Sequence, residues 1–411
     1  MVATYIQRRI LPKELQLSPV YIAPLNGIGI LAYHILKQAG VLVQGFIDND
    51  PSLQGERVCD TLILSPQQAI EAHKNATVII CSAKSRHAIK DQLEAIGVGS
   101  IIFSDSLLTS ENVKASLSAA KNTVFPAAPE RISLGEFDER FVMDEKLLEQ
   151  PDAFLFENLV VCVTERCNLR CKDCSTLMQY YKHQEDIPLE EITHSFDMLF
   201  KTARYSKRIN IQGGEPLLYH SLPDLVRHIG AKKVCRQLYV MTNGTIIPSH
   251  ELLTAMQESD CGLDMNIYPG YEKKADEIER LCQEYQIDYR IKFDRDDWID
   301  MRKFVDGRDW TESKLQQHFS DCQSYCVYLY RGHLYYCAFT AHARRLGAIP
   351  DDDLDSIDCT REIKIQLLIH FLVENKPVPS CRYCSGVNYS HGDRVMVAAQ
   401  AKKTLPYPKF Q

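Results

Sequence analysis

The stretch Leu159-Val160-Val161-Cys162-Val163-Thr164-Glu165-Arg166-Cys167-Asn168-Leu169-Arg170-Cys171-Lys172-Asp173-Cys174 decides the reading of this chain. It opens as a short apolar run after Asn158, which predicts a buried strand over Leu159 to Val163. Cys167, Cys171 and Cys174 follow in the loop at the strand's C-terminal end, spaced Cys-x3-Cys-x2-Cys. Three thiolates in one loop suit three irons of a [4Fe–4S] cluster, for which thiolates are the usual ligands. A fourth local ligand is missing, so one iron keeps an open position where another molecule can bind. Zinc, or three unrelated buried thiols, is the plainer alternative.

Outward from this loop, apolar runs recur with helical stretches between them. Strands are predicted at Arg208–Ile211, Gln237–Met241, Leu263–Ile267 and Tyr289–Phe293. Strand and helix in alternation mean a parallel sheet, here a partial barrel. The second strand runs into Gly213-Gly214-Glu215-Pro216. Glycines let backbone approach a ligand closely, and a carboxylate beside exposed backbone suits an ammonium group. The third strand ends in Thr242-Asn243-Gly244, which by itself is also a plain β-to-α turn. Asp264 and Asn266 alternate with apolar neighbours on the fourth, so both are expected to point into the barrel.

Together these segments resemble the radical SAM family, over roughly residues 157 to 300. The resemblance implies that Cys167, Cys171 and Cys174 carry a catalytic [4Fe–4S] cluster whose open iron chelates S-adenosyl-L-methionine. It implies that Gly213, Gly214, Glu215 and Pro216 bind the methionine amino group and that Thr242 and Asn243 lie near the ribose. Asp264 and Asn266 are further candidate contacts. Family members cleave the cofactor reductively, and the resulting 5′-deoxyadenosyl radical takes a hydrogen atom from substrate. One position departs from the pattern: Asp173 stands where the family has an aromatic residue.

A second cysteine set lies near the C-terminus: Cys322, Gly332, Cys337, then Cys381 and Cys384 in Cys-Arg-Tyr-Cys. Four thiolates complete a closed cluster, or a structural zinc site. Val327–Tyr330, a turn at Arg331-Gly332-His333, and Leu334–Tyr336 predict a hairpin. The spacing resembles the Twitch domain, the shorter relative of the SPASM domain, which implies a second, auxiliary [4Fe–4S] cluster. Cys326 is surplus to that pattern; it is a candidate alternative ligand, hydrogen-atom donor or buried thiol. Cys59, Cys81, Cys162, Cys235, Cys261, Cys282 and Cys359 have no ligand spacing.

Before the barrel, residues 19 to 103 alternate strand and helix at a shorter period. Val20–Ala23 leads into Gly27-x-Gly29-x-x-Ala32, and the next strand ends at Asp48. Strand, glycine turn, helix, strand and acid fit a nucleotide site, with phosphate at the helix N-terminus and ribose on the acid. The segment is similar to small Rossmann-like domains of bacterial sugar-modifying proteins. That implies a nucleotide or nucleotide-sugar at Gly27, Gly29 and Asp48, or a docking module with no ligand.

The expected architecture is α/β: a Rossmann-like parallel sheet over residues 1–115, a linker over 116–155, a partial (β/α)6 barrel as radical SAM core over 156–305, and a small hairpin-and-helix iron–sulfur domain over 306–411. A chain of 411 residues carries two or three domains. Charge, 47 basic against 54 acidic residues, argues against a nucleic-acid binder. No run of 18 apolar residues and no signal-peptide core is present, so a cytoplasmic protein away from membranes is expected. Fifteen cysteines in such a chain favour metal or redox chemistry over disulfides. The expected activity is hydrogen abstraction from a carbohydrate-type substrate (a sugar, nucleotide-sugar or aminocyclitol), giving oxidation or epimerisation at a carbinol carbon. A flavodoxin or ferredoxin would deliver the electron. The competing readings are a peptide-modifying maturase and a non-catalytic zinc scaffold.

Overall fold

The computed structural model describes residues 3–6, 15, 18–82, 86–134, 153–293, 297–324, 326–374, 376–388 and 393–410. Residues 135–152 of the expected linker lie outside the described residues. The chain divides into two compact units, Ile6–Ala153 and a larger one joining Met1–Tyr5 to Phe154–Gln411.

The smaller unit is a parallel sheet with one antiparallel edge hairpin. Its strands lie in the order Arg57–Val58, Thr61–Leu64, Val43–Ile47, Val20–Ala23, Thr77–Ile80, Ser100–Phe103. The connections reverse direction at Val20–Ala23, as in doubly wound sheets. Val20, Ile22, Ile79, Phe46 and Ile63 are buried against the helix Gly27–Gln38 and its neighbours. The edge hairpin was not legible from periodicity, because Arg57–Val58 is only two residues long.

The larger unit holds β1 (Leu159–Cys162), β2 (Tyr205–Gln212), β3 (Cys235–Thr242), β4 (Cys261–Ile267), β5 (Tyr289–Phe293), β6 (Val327–Tyr330), β7 (His333–Tyr335) and β8 (Ser356–Asp358). Helices α1 (Leu189–Thr202), α2 (Leu222–Lys232), α3 (His250–Glu258) and α4 (Ala275–Glu284) connect the first five strands. One face of those strands buries Ile209, Ile211, Val240, Leu263 and Met265 in a core shared with Phe196, Leu225 and Leu253 of the helices. The other face carries the polar residues that alternate with them.

The position of the sixth parallel strand differs from expectation. No parallel strand continues beyond β5 among the described residues; β6 instead pairs beside β1, with Val327 opposite Leu159 and Leu329 opposite Val161. The sheet therefore runs 5-4-3-2-1-6-7-8. Phe154–Gln411 accordingly falls within one compact unit. The N-terminus differs too: Ala3–Ile6 pairs with Ala153–Phe156, so the first residues belong with the barrel.

The β6–β7 hairpin forms as predicted with a tighter turn, because His333 joins the strand and pairs with Tyr330. Arg331 (φ 46°) and Gly332 (φ 72°) both sit in the left-handed region, the geometry of two-residue hairpin turns. No helix among the described residues is long and apolar enough to cross a membrane.

Candidate functional site

The three cysteines of the central loop leave β1 where its backbone is still paired: the Val163 N–H donates to Gln212 O at 2.8 Å. The next two contacts tie the loop to the glycine segment after β2. The Gly214 N–H donates to Thr164 O (2.9 Å) and the Glu215 N–H to Arg166 O (2.8 Å). A Cβ on Gly213 would lie 2.4 Å from Thr164 O, and one on Gly214 would lie 2.3 Å from Arg166 O and 2.9 Å from Cys167 Cβ. Glycine is required at both positions because the cysteine loop occupies the space of a side chain.

Glu215 does not offer its carboxylate to the surface. It is fully buried, and its oxygens accept from Thr242 Oγ1 (2.8 Å), the Asn243 N–H (2.8 Å) and the Leu217 N–H (3.1 Å). Burial raises its pKa, partly offset by those donors. Those contacts tie the ends of the second and third strands together through Glu215.

Asn243 completes the lacing. Its Nδ2 donates to Asn168 Oδ1 at 3.0 Å, inside the cysteine loop, and Asn168 donates in turn to Thr245 Oγ1 at 2.6 Å. A Cβ at Gly244 would meet Ile267 Cδ1 at 2.1 Å. Three sequence-distant segments, all singled out by the sequence, therefore form one rim.

The thiols themselves are partly accessible and mutually close: Cys171 and Cys174 each raise the pKa of Cys167. Burial pushes Cys167 up to about 12 and Cys171 to about 11. Cys174 Sγ lies 3.1 Å from Thr176 Oγ1. Ligation by iron displaces such thiol protons, so the donor set fits a cluster. Asp173, at the atypical position, has its pKa raised by burial and by Asp300.

The polar face of β2 to β5 lies below this rim. Arg208 pairs with Asp264 (2.5 Å), donates to Asn210 Oδ1 (2.7 Å), and stacks on Tyr239 at 4.4 Å. Arg290 stacks on the same ring at 4.8 Å. Asp264 is therefore held by Arg208. Asn266 lies in register with Lys292, next along the same strands.

The second cysteine set also comes together. Cys322 caps α5 (Glu312–Asp321), Cys337 caps α6 (Ala338–Arg345), Cys381 lies within the short helical turn Pro379–Tyr383, and Cys384 caps that turn. Cys337, Cys384 and Cys322 all raise the pKa of Cys381, and the Gly386 N–H donates to Cys384 Sγ at 3.3 Å. Sequence reasoning missed Arg302, whose guanidinium lies against Cys337, Cys326, Cys384 and Cys322. Its Nε is buried without a hydrogen-bond partner. A half-buried cation whose Nε is orphaned beside these thiols fits an anionic group held by them. Cys326 joins this set, next to Arg302 and Cys337. Among the described residues, no group of three or more His, Cys, Asp and Glu closes around a single ion.

Sequence reasoning also missed Glu165, two residues before Cys167. It is wholly buried and held by Arg331 (3.1 Å), Arg345 (3.0 Å) and the Tyr330 hydroxyl. Only folding brings those partners from the hairpin and α6 to the loop.

In the smaller unit, Gly27, Gly29 and Asp48 do meet at one end of the sheet. Asp48 Oδ1 pairs with Arg131 at 2.6 Å and Oδ2 accepts the Leu25 N–H at 3.1 Å. Asn26 caps the helix by accepting from the Gly29 N–H at 2.8 Å.

Residues 161–292 match the family described as the Radical SAM superfamily. This stretch is similar to radical SAM domains. Such domains imply one [4Fe–4S] cluster and S-adenosylmethionine. The chain is similar to the GTP 3′,8-cyclase of Pelotomaculum thermopropionicum, 35% identical over 95 residues, which are 22% of this chain and 28% of that one. It is 33% identical over 111 residues to the probable GTP 3′,8-cyclase of Archaeoglobus fulgidus, covering 26% and 32%. The chain thus spans under a third of the length of these relatives. Among solved structures, native anSMEcpe with bound AdoMet is 18% identical with a TM-score of 0.28, over 33% of this chain and 43% of that one. Streptococcus suis SuiB bound to S-adenosylmethionine is 13% identical with a TM-score of 0.24, over 51% of each.

Proposed function

We propose that this chain is a radical SAM enzyme acting on a small, polar, anionic substrate of the sugar type. The carrying observation is the rim in which the cysteine loop, Gly213-Gly214 and Thr242-Asn243 are laced into one surface. Cys167, Cys171 and Cys174 would hold the cluster, and the backbone of Gly213 and Gly214 would take the methionyl end of the cofactor. When bound, cluster and cofactor supply a 5′-deoxyadenosyl radical that takes hydrogen from substrate. Asn243 fixes Asn168 and so fixes the loop; Glu215 fixes Asn243; Pro216 starts the short turn that carries Leu217 to the carboxylate.

The polar face of the barrel supports the substrate class. Arg208, Arg290 and Lys292 outnumber Asp264 there, which favours a phosphorylated sugar or nucleotide-sugar. An aminocyclitol would bring ammonium groups against two guanidinium groups. The curated relatives are named for action on GTP, also an anion. Cys322, Cys337, Cys381 and Cys384 would hold an auxiliary [4Fe–4S] cluster, with Arg302 compensating its charge. Oxidation of a carbinol needs such an electron acceptor. Epimerisation needs a hydrogen donor, and Cys326 is set among the auxiliary cysteines, so oxidation is the favoured outcome. The first electron would come from a flavodoxin- or ferredoxin-type donor. A nucleotide at Gly27 and Gly29 would have to displace Arg131 from Asp48, so the substrate is assigned to the barrel.

Anaerobic reconstitution tests this. Two clusters require about eight irons per chain and a brown protein, whereas zinc is colourless. Cys171→Ala is expected to lose 5′-deoxyadenosine production and keep about half of the iron. Production at the wild-type rate would refute the site. With candidate sugar phosphates, loss of two hydrogens marks a dehydrogenase, while unchanged mass with solvent deuterium marks an epimerase.

A further inference from the structure

The segment Ala398–Ala401 lies against the catalytic cysteine loop from more than two hundred residues away. It runs antiparallel to Arg170–Lys172: the Lys172 N–H donates to Ala399 O (2.7 Å), the Ala401 N–H donates to Arg170 O (2.8 Å), and Cys171 pairs with Gln400. Three contacts orient the Gln400 carboxamide. Oε1 accepts the Arg170 N–H at 2.6 Å; Nε2 donates to Ala398 O at 2.6 Å and to Cys171 Sγ at 3.3 Å. A backbone N–H requires an oxygen opposite it, so the amide's orientation is fixed and an N–H faces sulfur. The segment is tied further on, by the Leu405 N–H to Gln179 O (3.0 Å), the Tyr407 hydroxyl to Leu346 O (2.7 Å) and the Phe410 N–H to Ala348 O (2.8 Å).

We propose that Gln400 is a positioning residue of the catalytic cluster, whose N–H···S hydrogen bond to Cys171 raises the reduction potential of the cluster and so eases entry of the first electron. The proposal rests on the reading of Cys171 as a cluster ligand. Reduction adds negative charge to a cluster and its sulfurs. A donor aimed at one sulfur stabilises the reduced form more than the oxidised one, and hydrogen bonds to sulfur are among the determinants of cluster potential. The main-chain pairing of the strap does not depend on the side chain of residue 400. The donor can therefore be removed while the strap stays in place.

The test is a redox titration, followed by electron paramagnetic resonance, of the anaerobically reconstituted full chain as wild type, Gln400→Leu and Gln400→Glu. Leucine removes the donor. Glutamate keeps the acceptor for Arg170 N–H and turns a carboxylate towards sulfur. At a fixed poise near the wild-type midpoint, the ratio of reduced to oxidised cluster is expected to fall about tenfold in Gln400→Leu, equivalent to about 59 mV for one electron. It should fall further in Gln400→Glu. Resonance Raman of wild type should show an Fe–S(Cys) stretch that moves in D2O, and Gln400→Leu should lose that sensitivity. Variants with full iron content, an unchanged midpoint and an unchanged D2O shift would overturn the role of Gln400 while leaving the cluster assignment standing. A wild-type chain whose central loop takes up no iron would overturn the cluster assignment, and this inference with it.

Discussion

Two glycine-rich turns follow two buried strands in this chain, and they do opposite things. After Val20–Ala23, a Cβ on Gly27 would lie 2.8 Å from Ser133 O and 3.1 Å from Leu134 Cδ2, so the space by that glycine is filled by the chain itself. The acid beyond it, Asp48, is committed to Arg131. After β2, Gly213 and Gly214 press instead on a loop of partly accessible thiols. A glycine turn at a strand end reports that backbone approaches something closely. It does not report whether that is a ligand site or a neighbouring segment, and side chains tens of residues away decide it.

The contrast is breakable by experiment. Gly214→Ala sets a Cβ against a backbone oxygen that cannot rotate away, so the cysteine loop must move. A misplacement near 1 Å costs about a hundredfold in rate, so 5′-deoxyadenosine production should fall at least that far. Parity with wild type would erase the distinction between the turns. Glu165→Ala attacks the same loop from behind by removing the buried partner that Arg331 and Arg345 share, leaving both on Glu185. Chemical denaturation should show a loss of about 3 kcal/mol in the larger unit, the upper end for hydrogen bonds to a charged group.

The corresponding change at the other turn should stay local. Asp48→Ala deprives Arg131 of its buried partner and should cost the smaller unit about 1.5–3 kcal/mol, with cofactor cleavage unchanged. A matching fall in cleavage would mean the N-terminal turn contributes to catalysis after all. The smallest effect belongs to Asp355, which lies beside neither turn. Its carboxyl is buried with Oδ2 unpartnered, and burial lifts its pKa to about 6. A carboxyl whose folded pKa is raised penalises the folded chain as pH climbs from about 4, the unfolded value, towards 6. Relative to Asp355→Asn, the wild type should lose about 1–2 kcal/mol across that window, read as a difference in thermal midpoint at pH 4 and pH 7.

The same contrast explains what the sequence disclosed. Cys167, Cys171, Cys174, Gly213 and Asn243 were legible because their spacing and their place at strand ends are local properties, which the sheet then brought together. The Arg331-Gly332 turn was legible for the same reason, since two left-handed residues suit a short hairpin. The position of β6 was not. Val327–Tyr330 is buried on both faces, so its apolar run gave no sign of which edge it joins. Glu165, Arg302 and Gln400 are ordinary polar letters whose meaning comes only from partners far along the chain. The three donors to Glu215 were not legible, because folding brings them to it.

The pairing of β6 against β1 has a temporal consequence. Leu159 and Val327 are neighbours in the sheet although more than 160 residues separate them. During synthesis, the strand that feeds the cysteine loop waits with one edge bare until the hairpin emerges. Loops this long close slowly, and unpaired edges invite aggregation meanwhile. Iron delivered to nascent chains would meet an unfinished cradle, so loading is expected to follow release from the ribosome. A pulse of labelled iron should mark finished chains and leave ribosome-bound ones unlabelled.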